Sequence, residues 1–250
     1  MPLHVDRQGR VAVLTLDDPE RRNALTAALV DEIVAAVDAA ESDDGVGALV
    51  ITGEPPAFCS GADVGNLAAM SDRGAAGSSD DPALPRVYEG FLRVLRCSVP
   101  TVAAVNGPAV GAGFNLALAC DVRIAGESAR FDTRFVRLGI HPGGGHTWLL
   151  ERAVGPQAAA AMVLFGERVD GARAAELGLA WRCVEDDQLL DDAVALAERA
   201  AEAPRDLAVK VKATLRQAPW QPDFDAAVQL ELERQLWSFE QGFFRPPTDR

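Results

Sequence analysis

Residues 106–121, NGPAVGAGFNLALACD, run from a glycine-rich turn into an apolar stretch whose single polar residue before the closing Asp121 is Asn115. The preceding VPTVAAVNG (99–107) is β-branched and apolar, which predicts a buried strand. A helix starting at about Ala112 and apolar on nearly every side also has to be buried. A strand delivered through a tight glycine turn into a buried helix belongs to an α/β architecture.

The rest of the chain fits that class. RVAVLTLDD (10–18) alternates like a half-buried strand, and residues 19–43 follow with Leu25, Leu29, Ile33 and Val37 at helical spacing and Thr26 as a cap. GALVITG (47–53) predicts a second buried strand, 65–85 a Gly/Ser/Asp/Pro loop, 84–96 a helix and 120–126 another strand. After HPGGGH (141–146) the pattern is helical, over 148–153, 156–165, 171–177, 188–202, 204–217 and 222–240. At 250 residues and 48% apolar composition, one sizeable core is expected over 1–190, with a helical C-terminal subdomain over 191–250.

Charge and cysteine usage narrow the function classes. A net charge of −13 argues against a nucleic-acid surface, so an anionic small molecule would need a local basic patch. Cys59, Cys97, Cys120 and Cys183 form no C-x-x-C pair and show no metal-ligand spacing, which predicts free buried thiols and no metal. The opening MPLHVDRQGRVAVLTLD lacks a basic segment followed by an apolar one, and no apolar run is long enough for a membrane span. A soluble, cytoplasmic protein is expected.

The glycine loop fails both common nucleotide fingerprints. Gly111-Ala112-Gly113 is followed by Phe114, Asn115 and Leu116, without the third glycine of G-x-G-x-x-G, and no lysine is present for a phosphate loop. What remains is a helix start whose first N–H groups lack intrahelical acceptors, favourable to a small negative charge, or a turn that simply lets a buried helix pack closely. PPAFCSGADV (55–64) also follows a strand and places Gly61-Ala62 before Asp63. Two such turns would supply converging N–H donors, the arrangement of an oxyanion hole.

Taken together, DDPERRNAL (17–25), AFCSGAD (57–63), AAVNGPAVGAGFNLALACDVRIA (103–125), RLGIHPGGGHTWLLERAVG (137–155) and GERVDGARAAELGLAWRCV (166–184) resemble the crotonase superfamily, the enoyl-CoA hydratase/isomerase family, in that family's order and over nearly the whole chain. The resemblance implies an α/β spiral of ββα units with a helical C-terminal subdomain, and a homotrimer or hexamer. It also implies an acyl-CoA or enoyl-CoA ligand, with coenzyme A present only as part of the thioester and no tightly bound cofactor. On this sequence the oxyanion donors map to the backbone N–H groups of Ala62 and Ala112. Arg22, Ala24, Ala57, Phe58, Ser60, Gly61 and Asp63 map to the coenzyme A groove.

The resemblance breaks at the acids. The hydratase glutamates map to Asn115 and Phe135, and the aspartate of an isomerase branch maps to Gly143. An amide neither accepts nor delivers a proton usefully near neutral pH. The remaining candidates are Asp132, which is otherwise a turn carboxylate, and His146, which is otherwise a capping or packing residue beside Trp148; His141 reads as serving its turn. Two functions remain: a hydratase or isomerase in which Asn115 orients water or substrate while His146 or Asp132 carries the proton, and a non-catalytic acyl-CoA-binding protein.

Overall fold

The chain alternates between two sheets in a computed structural model that describes residues 2–62 and 83–246. Asp63 and most of the 65–85 loop lie outside the described residues. The hairpin β1 (Leu3–Gln8) and β2 (Val11–Leu16) is antiparallel, and β3 (Ala48–Gly53) and β4 (Thr101–Val105) add parallel strands beside it. The chain then crosses to a small sheet for β5 (Pro108–Val110), returns for β6 (Val122–Gly126), and crosses again for β7 (Arg130–Asp132) and β8 (Val169–Asp170). It ends its sheet path at β9 (Arg182–Val184), giving the orders β1-β2-β3-β4-β6-β9 and β5-β7-β8. An isolated parallel bridge, Cys59 to Ala109, carries the segment after β3 onto the edge of the small sheet. Successive passes therefore stack in the same sequence in both sheets.

Parallel strands need long crossovers, and helices supply them. These are α1 (Ala27–Ser42), α2 (Ala83–Leu95) and α3 (Ala112–Ala119), followed by α4 (His146–Leu164) and α5 (Gly171–Glu176). Then come α6 (Leu189–Ala201), α7 (Arg205–Gln217) and α8 (Phe224–Glu240). Ala12, Leu14, Leu16, Leu49 and Ile51 share one core with the apolar faces of α1, α2 and α3. On the opposite face Val11, Val13, Val50, Val102 and Ile124 pack against Leu189, Ala193, Val194 and Ala197 of α6. Both faces of the large sheet are covered, which corrects the half-buried reading of β2: all of it is buried but Thr15.

Two helix boundaries also differ from the pattern in the sequence. Arg22 and Asn23 take left-handed φ values of 53° and 57°, so the chain turns before the helix and Leu25 bridges Ala62 instead of lying on α1. Thr26 caps α1, its Oγ1 accepting the Leu29 N–H at 3.2 Å. Residues 148–153 and 156–165 belong to one element, α4, broken where Gly155 (φ 76°, ψ 168°) precedes Pro156. Among the described residues no helix is long and apolar enough to cross a membrane, and no group of His, Cys, Asp and Glu side chains is placed to hold a metal ion.

Candidate active site

The Cys59–Ala109 bridge sets a common register, and three residues further along each chain stand Ala62 and Ala112. Each is preceded by a glycine with positive φ, Gly61 at 96° and Gly111 at 52°. Gly111, with ψ −114°, is held in a conformation that a side chain would strain, and it turns the end of β5 into α3. A Cβ on Gly113 would strike the Cys59 carbonyl oxygen, so glycine there lets α3 seat directly on the 57–61 loop. A Cβ on Gly61 would lie 3.4 Å from the Ala112 nitrogen, which measures how closely the two turns approach.

Among the described residues, neither the Ala62 nor the Ala112 N–H donates to a protein acceptor. Both residues line one cavity of about 400 Å³, together with Ser60, Gly61, Val87, Tyr88, Asn115, Phe135, Leu138 and His141. The walls are mainly apolar. Ala112 is the first residue of α3, so its N–H also carries the positive end of that helix's dipole.

Asn23, which the sequence reading left out, ties the loops that present these groups. It is fully buried, its Nδ2 donating to the carbonyls of Glu54 (2.8 Å) and Ala57 (2.7 Å) while its Oδ1 accepts the Asp18 N–H at 2.9 Å. Ser60 N–H donates to the Arg22 carbonyl at 3.0 Å, fixing the 19–25 turn beside the 57–62 loop. Ala57 and Phe58, expected along the groove, are completely buried, and Ala24 is nearly so. They shape the loop from beneath, whereas Arg22 is exposed and Ser60 and Gly61 line the cavity. Cys59 is buried as well, and burial pushes its thiol up to about 12, which removes it as a nucleophile.

The proton-carrier candidates divide differently from the sequence expectation. Asp132 is buried but does not line the cavity; Arg137 pairs with it, and Arg134 and Arg168 each approach it at 3.3 Å. Three guanidinium groups gather that carboxylate into an ion cluster away from the cavity lining. His146 does start a helix, yet it sits behind the cavity wall, its ring 5.0 Å from that of Phe135 and 5.3 Å from that of Phe114. Its Nδ1 contacts Asn115 Oδ1 at 2.7 Å, its Nε2 is buried with no partner among the described residues, and burial pushes its pKa down to about 4.

Asn115 is thus held from two sides. Its Nδ2 donates to the Gly143 carbonyl at 3.0 Å and its Oδ1 accepts from His146, leaving only an N–H face for the cavity. Where the resemblance places an aspartate, a Cβ at Gly143 would fall on the Tyr88 hydroxyl, so a side chain there requires the tyrosine to shift. Tyr88 went unnoticed in the sequence: nothing local marks a tyrosine on α2 as the neighbour of a loop 55 residues away.

The fold and this cavity define a class of protein with known relatives. The family model for enoyl-CoA hydratase/isomerase matches residues 6–241, and the chain belongs to that family. It is similar to the probable enoyl-CoA hydratase EchA14 of Mycobacterium tuberculosis, 50% identical over 214 residues that cover 86% of this chain and 80% of the relative. It is also similar to the 2,3-dehydroadipyl-CoA hydratase of Escherichia coli, 39% identical over 238 residues, 94% of this chain and 89% of that one. Among solved structures, an enoyl-CoA hydratase from Polaromonas sp. JS666 superposes with a TM-score of 0.88 at 27% identity, covering 96% of this chain and 92% of that one.

Proposed function

We propose that the cavity binds an acyl-CoA thioester with its carbonyl oxygen between the N–H groups of Ala62 and Ala112, and that these donors stabilise the enolate-like oxygen formed in a hydratase or isomerase reaction. The observation that carries this reading is the shared register of the two Gly-Ala turns on one cavity, each ending in an N–H without a protein acceptor among the described residues. Such donors are worth most where charge develops in an apolar surrounding. Arg22, Ser60, Gly61 and Asp63 hold the coenzyme A portion, with Ala24, Ala57 and Phe58 supporting that wall. The helices of 191–250, with exposed Leu215, Leu232, Leu236 and Phe239, join copies into a homotrimer or hexamer.

A second reading, acyl-CoA binding without turnover, draws support from Asp132 being committed to arginines and His146 being enclosed. Calorimetric titration with crotonyl-CoA, with 2,3-dehydroadipyl-CoA and with a thioether analogue lacking the carbonyl tests the shared element. The thioesters should bind at least about tenfold more tightly than the thioether, the worth of one to two hydrogen bonds. Equal binding would remove the oxyanion hole, and tight thioester binding without loss of the conjugated double bond would favour the second reading.

A further inference from the structure

We propose that His141 is the proton acceptor of this cavity and that the Tyr88 hydroxyl positions the group it acts on. The proposal rests on the thioester reading above and adds the missing proton carrier. Among the described residues, the titratable side chains lining the cavity are Tyr88, Arg134 and His141. Arg134 is a permanent cation engaged with Asp132. His141 Nδ1 lies 2.6 Å from the Pro142 carbonyl, which can only accept, so the ring proton sits on Nδ1 and Nε2 keeps its lone pair.

The contrast with His146 explains why one histidine suits the task and the other does not. His146 carries the same tautomer, but its Nε2 is sealed among Phe114 and Phe135 and its imidazolium would form without solvent. His141 is exposed on the cavity rim, so water solvates the cation and exchanges its proton. Its loop is not free: Asn115 pins the Gly143 carbonyl and the Tyr88 hydroxyl lies against Gly143. The space that the resemblance gives to a carboxylate from position 143 is filled here by a phenol from α2.

The step is a proton transfer. His141 Nε2 takes a proton from the carbon next to the thioester carbonyl, and the pair of the broken C–H bond forms a carbon–carbon π bond. The carbonyl π pair moves onto the oxygen, which Ala62 and Ala112 hold, and the imidazolium then returns its proton or one exchanged from water. The Tyr88 hydroxyl donates a hydrogen bond and takes no part in the proton transfer.

The test uses the whole protein with butyryl-CoA and octanoyl-CoA in D2O, following loss of the α-proton signal by NMR and affinity by calorimetry. The wild type should exchange the α-protons, and His141→Ala should slow exchange by at least about a hundredfold with binding changed less than about threefold. Free imidazole should restore part of the His141→Ala rate, while Tyr88→Phe should exchange about tenfold more slowly without responding to imidazole. Exchange in His141→Ala at the wild-type rate, or binding without exchange in the wild type, overturns the proposal. Tyr88→Phe at the wild-type rate overturns its second half, and failure of the wild type to bind either thioester overturns the thioester reading itself.

Discussion

Asn115 Oδ1 accepts a hydrogen bond from His146 Nδ1 at 2.7 Å while the Nδ2 of the same amide donates to the Gly143 carbonyl at 3.0 Å. The carbonyl has no proton to give, so it orients the amide, and the amide in turn fixes the tautomer of the histidine. Asn115 is thereby a clamp between α3, α4 and the glycine loop. Asn115→Ala leaves a buried N–H and a carbonyl without partners, and should cost about 2–3 kcal/mol in urea unfolding. A loss below about 0.5 kcal/mol would show that the clamp is not made.

The burial of His146 gives stability a pH dependence of definite sign. The unfolded chain binds a proton on this imidazole as pH falls below its ordinary 6.5, whereas the folded protein resists doing so until about 4. The contribution is complete above about 6.5 and declines as pH falls through that window, by on the order of 3 kcal/mol. Comparing unfolding free energies of wild type and His146→Leu at pH 7 and pH 4.5 isolates it from the carboxylates. The variant should lose less stability on acidification, and parallel pH profiles would contradict the assignment.

Gly143 and Tyr88 should prove coupled. A methyl group at 143 meets the tyrosine hydroxyl, so Gly143→Ala is expected to destabilise by about 1–3 kcal/mol. In a Tyr88→Phe background, where the oxygen is gone, much of that cost should disappear, with a coupling energy above about 0.5 kcal/mol in a double-mutant cycle. Additive effects would mean that the two groups do not touch.

Much of this arrangement was legible from the residues because its signals are local. β-branched runs mark β3 and β4, Thr26 marks the start of α1, and the glycines of the two Gly-Ala pairs mark the positive-φ turns that follow strands. What the sequence left open depends on contacts between distant segments. The alternation in β2 suggested a solvent face, but α6, more than 170 residues later, covers it. Asp132 stood open between proton carrier and turn carboxylate, because no pattern shows that Arg134, Arg137 and, from 36 residues later, Arg168 converge on it. HPGGGH favours His146, at a helix start, over His141, which precedes a proline; only the folded chain shows that the Phe114 and Phe135 rings enclose the first and leave the second at the rim.

A thioester carbonyl seated between the N–H groups of Ala62 and Ala112 accepts two backbone hydrogen bonds. Infrared difference spectroscopy of bound butyryl-CoA carrying ¹³C at the carbonyl reads that contact directly. Hydrogen bonds from both donors polarise the bond, so the stretch should fall below its frequency in water. In Ala112→Pro, which removes one N–H at a helix position that tolerates proline, the shift should shrink. A bound carbonyl absorbing at its solution frequency, or a shift untouched by Ala112→Pro, would contradict it.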